Sequence, residues 1–197
     1  MILLIDNYDS FTYNLAQLLE QTHEVKVHRN DDSIVFQVAE QADAIVLSPG
    51  PGTPKETGYV PQIIQQFYQE KPILGICLGH QTIGAAFGSN VIQAKNIRHG
   101  KQSTITIDST SRLLKNIPQK TLVMRYHSLV LQEQELSTAF TITARADDDQ
   151  EIMAIEHRSY PLFGLQFHPE SIGTQNGAAM LQNFIELMEE YYDETPI

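Results

Sequence analysis

Through its first 88 residues the chain alternates short apolar runs with stretches whose apolar residues recur every three to four positions. "ILLI", "EVKVH", "AIVLS" and "PILGI" are too short for helices, whereas "SFTYNLAQLLEQ", "SIVFQVAEQA", "YVPQIIQQFYQE" and "LGHQTIGAAFG" carry helical spacing. In "YVPQIIQQFYQE", Val60, Ile63, Ile64 and Phe67 fall on one face. Strand then helix, repeated, specifies a parallel sheet, because parallel neighbours need a crossover long enough to hold a helix. Beyond Gly88 the rhythm changes to "NVIQA", "STITID", "TLVMRYHS", "AFTITARA", "EIMAIEHR" and "LFGLQFH", mostly period-two segments that predict antiparallel strands. A last segment, "GAAMLQNFIELMEEYY", sets Ala179, Leu181, Phe184, Ile185 and Met188 along a stripe and closes the layer as a helix, while the tail "DETPI" is expected to fray. The expected fold is therefore α/β, an open and mostly parallel central sheet flanked by helices, with antiparallel strands in the second half. With no internal repeat and no linker-like tract, residues 1–197 read as a single domain.

A chain of 197 residues buries a proper core without disulfides, and its one cysteine, Cys77, cannot form an internal one. That points to a reducing, cytoplasmic setting. "MILLID" lacks a basic leader and reads as a first strand, not an export signal. No apolar run approaches the roughly 18 residues of a membrane span. Thirteen basic against 24 acidic residues give a formal charge of −11. Such a surface repels phosphate backbones and anionic membranes, so neither nucleic acid nor a membrane is an expected partner. "DDDQ", Asp147 to Gln150, reads as a solvated turn between strands, and no metal or cofactor is assigned.

Cys77 lies in "GICLG", where a strand meets a helix. Glycines at Gly75 and Gly79 allow the sharp turn that lifts a nucleophile out of a sheet. The following helix N-terminus favours a negative sulfur, and the N–H of Leu78 can donate to an oxyanion forming beside it. A free thiol with a pKa of ~8.5 is only a few per cent ionised at neutrality, so a cationic partner is needed as well. His168 is the best candidate among the seven histidines, because it ends the strand "LFGLQF" and is followed by Pro169 and Glu170. Residues i and i+2 of an extended segment project to one side, so Glu170 can orient the ring while its other nitrogen faces the sulfur. His80, three residues along the helix from Cys77, is expected to point away from it. "SPGPGTP", Ser48 to Pro54, follows a neighbouring parallel strand and brings Gly50 and Gly52 to the same crevice, with the Gly50 N–H as a second oxyanion donor. Gln81 lies one helical turn past Cys77 on the same face.

Taken together, "IDNYDSFTYNL", "SPGPGTP", "GICLGHQ", "RHGK", "RYHSL" and "FHPES" resemble the class I, triad-type glutamine amidotransferases, and within them the glutaminase subunits that serve chorismate-using synthases. The resemblance spans nearly the whole chain. It implies that Cys77 attacks the side-chain amide of L-glutamine, with His168 as general base and acid and Glu170 orienting it. It further implies that Gly50, Pro51, Gly52, Leu78, Gln81, Ser128 and Leu129 bind glutamine, and that ammonia passes to a chorismate-binding synthase subunit making anthranilate or aminodeoxychorismate. By analogy "IRHGK", Ile97 to Lys101, is expected at the partner surface. A γ-glutamyl hydrolase sharing the triad and a non-catalytic regulatory relative are the alternatives.

Overall fold

The computed structural model describes residues 1–194; residues 195–197, the end of the segment expected to fray, lie outside the described residues. The first half supplies β1 (Ile2–Asp6), α1 (Thr12–Leu19), β2 (Val25–Arg29), α2 (Ile34–Gln41), β3 (Ala44–Leu47), α3 (Val60–Phe67), β4 (Ile73–Ile76) and α4 (Leu78–Ala86). The second half supplies β5 (Val91–Gln93), β6 (Lys101–Ile107), β7 (Lys120–Arg125), β8 (Leu129–Leu131), β9 (Phe140–Ala146), β10 (Ile152–His157), β11 (Leu162–Leu165) and α5 (Gly177–Glu194). Nine strands form one sheet in the order β2-β1-β3-β4-β11-β10-β9-β6-β7, and β5 pairs with β8 in a separate antiparallel ribbon. This is the α/β architecture expected, parallel from β2 to β11 and antiparallel beyond.

Strand alternation sorts the core into two layers. Ile2 and Leu4 pack with Leu15 and Leu19 of α1 and with Met180, Phe184 and Ile185 of α5. Leu3 and Ile5 face the opposite side, against Val35 and Val38 of α2 and Val60, Ile63, Ile64 and Phe67 of α3. Each such fully buried aliphatic side chain contributes roughly 1.5–3 kcal/mol. Among the described residues no helix is long and apolar enough to cross a membrane.

Two features differ from the period-two reading of the second half. β11 pairs parallel with β4, Leu162 opposite Ile73 through Leu165 opposite Ile76, and antiparallel only with β10. β10 shows no alternation at all, because every residue from Ile152 to His157 is buried. It lies in the interior of the sheet, with Met153 in one core layer and Ile152 and Ile155 in the other, so both faces are covered. The β4–β11 pairing is what brings residues near position 77 beside residues near 168.

Candidate active site

The carboxyl ends of β1, β3, β4 and β11 meet at one edge of the sheet, and on each side of β1 the chain order runs a different way, the crevice position of open α/β folds. Between β4 and α4 the backbone turns within one residue. Cys77 has φ +52° and ψ −102°, a left-handed conformation that costs a non-glycine residue about 1–3 kcal/mol. Its N–H donates to Leu165 O at 2.7 Å and its carbonyl accepts from Gln81 N at 3.0 Å, which pins the bend. The flanking glycines are required by contact: a Cβ at Gly75 would sit 2.5 Å from the Gly79 carbonyl carbon, and one at Gly79 would sit 2.6 Å from Leu47 O. The first turn of α4 thus rests directly on β3 and β4. The Leu78 N–H is one of those a helix leaves without an internal acceptor.

His168 and Glu170 follow β11 and are both buried. His168 Nδ1 lies 2.6 Å from Glu170 Oε1, so the ring donates from Nδ1 to the carboxylate. Nε2 is buried without a partner of ordinary hydrogen-bond geometry, yet the Cys77 thiol interacts with the ring. Burial alone would pull the imidazole down; the interactions with Cys77 and Glu170 outweigh it and push His168 up to about 10. Tyr126 packs edge-on against the ring at 5.0 Å and Phe11 at 6.4 Å. Thr174 Oγ1 donates to His168 O at 2.6 Å, and a Cβ at Gly177 would sit 1.9 Å from Pro169 O, so the "HPE" backbone is clamped by the start of α5.

Cys77 opens into a cleft of about 160 Å³. Gly50, Pro51 and Gly52 form one side, Leu78 and Gln81 the helix side, and Ser128 and Leu129 the third, with Tyr126 and His127 completing it. Every residue expected to bind a ligand therefore meets at one cavity, whose lining includes Cys77 but not the buried His168 and Glu170. A roomier groove of about 440 Å³ beside β6 and β9 contains neither cysteine nor histidine. Gly50 is fixed by the loop that follows β1, since a Cβ there would lie 2.4 Å from Asn7 O. Asn7 in turn donates Nδ2–H to Ser48 O at 2.8 Å and accepts from Asn30 Nδ2 at 2.9 Å, which explains why "DNYDS" and "SPGPG" belong together. Gly52 has φ +81° and lies against the Glu56 carboxylate, which caps the Thr53 N–H at 2.8 Å. His80 is buried away from solvent against Gly164 of β11, and burial holds its pKa down at about 3.

Sequence reasoning missed three participants. Gln166 is fully buried, with Nε2 3.6 Å from Cys77 Sγ; its position two residues before His168 was the available signal. Arg125 is fully buried and His127 nearly so, and the inward positions Thr121, Val123 and Arg125 of β7 alternate as a strand should. The solvated-turn reading of "DDDQ" is corrected for one of its carboxylates, Asp149, while Asp147 and Asp148 are exposed. Asp149 is buried and pairs with Arg125 NH1 at 3.0 Å and Arg98 NH2 at 3.0 Å, while Asp148 reaches the same two guanidiniums. The buried Arg125 at the end of β7, on the far side of β6 from β9, draws Asp149 inward, which composition alone does not show. Among the described residues no cluster of metal-ligating side chains is found.

Glu170 is one of the two neighbours that raise His168, so Glu170→Gln is expected to lower its pKa. The sign is fixed by the raised value: the imidazolium's contribution to stability is complete below the unfolded value of about 6.5 and is lost as pH rises through about 10. In the variant that loss moves to lower pH, and an NMR titration of the His168 ring measures it. An unchanged midpoint would show that Glu170 does not hold the proton.

Residues 3–188 match the family described as glutamine amidotransferase class-I. The chain is 50% identical over 190 residues to anthranilate synthase component 2 of Lactococcus lactis, covering 96% of each chain. It is 45% identical over 188 residues to aminodeoxychorismate/anthranilate synthase component 2 of Bacillus subtilis, covering 94% of this chain and 96% of that one. Among solved structures, the crystal structure of a Thermoplasma acidophilum protein named as a GMP synthase subunit superposes with a TM-score of 0.87 at 28% identity, covering 96% of this chain and 94% of that one.

Proposed function

Because the chain belongs to the class-I glutamine amidotransferase family, we propose that its cleft hydrolyses L-glutamine to glutamate and ammonia, and that the ammonia is delivered to a chorismate-using synthase subunit. Residues 1–197 act as one glutamine amidotransferase domain, read as cytoplasmic. The observation that carries this reading is the buried Cys77–His168–Glu170 cluster opening on a small cavity ringed by backbone donors and Gln81.

In the first step Cys77 Sγ attacks the side-chain carbonyl carbon of glutamine. His168, held by Glu170, takes the thiol proton and passes it to the departing nitrogen, and ammonia leaves as the C–N bond breaks. The N–H groups of Gly50 and Leu78 stabilise the oxyanion. The γ-glutamyl thioester is then opened by water, from which His168 takes a proton that returns to sulfur, giving glutamate and the free thiol. Gln81, Ser128 and Leu129 hold the amino-acid end of the substrate, with Pro51 and Gly52 opposite. The component 2 names of the relatives favour this over a γ-glutamyl hydrolase or a regulatory protein. The partner surface is expected beside "IRHGK", where His99 packs against Tyr126 at the mouth of the cleft.

The test is labelling with an electrophilic glutamine analogue. Mass spectrometry is expected to find one adduct, on Cys77, that excess glutamine prevents. No adduct at Cys77, even with the chorismate-binding partner present, would overturn the assignment.

A further inference from the structure

Among the described residues, Gln166 is the one polar side chain besides the proposed triad that reaches the sulfur, and the direction of its hydrogen bond is settled by a backbone carbonyl three groups away. Leu129 O can only accept, so the Gln81 atom 2.8 Å from it is the amide nitrogen. That same Nε2 lies 3.1 Å from Gln166, whose facing atom must therefore be the acceptor Oε1. The Gln166 nitrogen is then the atom turned to Cys77 Sγ at 3.6 Å, a hydrogen-bond distance for the larger sulfur atom, and it carries protons to donate. Leu129 O is itself held from a second side: His127 Nδ1 lies 3.1 Å from it while His127 Nε2 accepts from buried Arg125 Nε at 3.0 Å. Gln166 is fully buried, so water does not compete for its amide.

Resting on the reading of Cys77 as the nucleophile, we propose that Gln166 is a further catalytic residue, which donates an N–H to the Cys77 sulfur and stabilises its anion, and that Gln81 is a positioning residue that keeps the Gln166 amide from turning over. The imidazole of His168 and the amide of Gln166 then hold the sulfur anion from two directions, one with a charge and one with a neutral dipole. The neutral donor matters because it does not depend on the proton that His168 hands to the leaving nitrogen. When the imidazolium gives up that proton, Gln166 is still donating, ready for the sulfur that is expelled when water opens the thioester. Gln81, with its nitrogen committed to Leu129 and Gln166, presents Oε1 as its remaining acceptor.

Cys77 is the chain's only cysteine, so the pH dependence of alkylation by iodoacetamide reports its thiolate directly, without glutamine. In Gln166→Met the alkylation midpoint is expected to rise by about one pH unit, roughly the value of one hydrogen bond to an anion. Gln166→Glu keeps the size and the Gln81 partner while replacing the donor with a carboxylate, and its midpoint is expected to rise further. Gln81→Met, which leaves Gln166 in place but unanchored, is expected to rise by less than either. A midpoint at or below that of the wild type in folded Gln166→Glu or Gln166→Met overturns the proposal. Failure of the underlying reading looks different: Cys77→Ala would then keep its glutamine-dependent rate whatever the alkylation profiles show.

Discussion

Cys77→Ala is expected to lower the glutamine-dependent rate of the assembled synthase by at least on the order of 10⁴-fold, while the rate with ammonium salts stays that of the wild type. The asymmetry follows from the division of labour. Without sulfur no thioester forms, but the site in the partner that consumes ammonia is untouched. A variant that retained its glutamine-dependent rate would remove Cys77 from the chemistry. The same position carries a stability test. At φ +52° alanine is as strained as cysteine, whereas glycine is not, so Cys77→Gly is expected to melt above Cys77→Ala by an amount corresponding to about 1 kcal/mol.

Arg125→Met is expected to destabilise the fold by about 3–5 kcal/mol, a fall in melting temperature of roughly 10 °C for a chain of this size. Arg125 is fully buried and binds Glu151 Oε2 at 2.6 Å, Asp149 Oδ2 at 3.0 Å and Ser103 Oγ at 3.0 Å. Methionine fills the volume but leaves two buried carboxylates facing each other, the case in which removing one partner is most damaging. Asp149 is desolvated but is held below the ordinary carboxylate range by Arg98, the Glu151 N–H and Arg125; Glu151 is raised, chiefly by burial. With the guanidinium gone both carboxylates take up protons more readily, so the difference between variant and wild type is expected to shrink as pH falls toward about 4. His127, neutral because burial and Arg125 hold it down at about 3, loses its anchor in the same variant. The KM for glutamine is expected to rise with it, since His127 braces the Leu129 carbonyl at the cleft. A melting temperature within a degree or two of the wild type would mean that the pair contributes nothing net.

The first half of the chain was legible because both of its periodicities are local. α3 shows its apolar face in eight residues, and the elbow at Cys77 is announced by two glycines whose missing Cβ atoms the structure needs. The spacing of His168 and Glu170 was legible for the same reason, since an i, i+2 relation survives in any extended segment. What stayed hidden depends on neighbours distant in sequence. β10 loses its alternation only because strands and helices cover both of its faces, and β11 reads like its antiparallel predecessors although its other edge belongs to β4. Gln166 looks like any polar residue in a strand until Gln81, 85 positions earlier, fixes its amide. Asp149 in the acidic turn reads as solvated until Arg125 is known to be buried against it.

The pairing of β4 with β11 has a temporal consequence for a chain made from its amino end. When the first 150 residues have emerged from the ribosome the thiol and its elbow are already present, yet the imidazole has not emerged, and β11, which places it, pairs with β4 only afterwards. In the proposed chemistry, thiol and imidazole therefore meet only at the close of folding, and a chain that ends before position 168 carries the cysteine without its base.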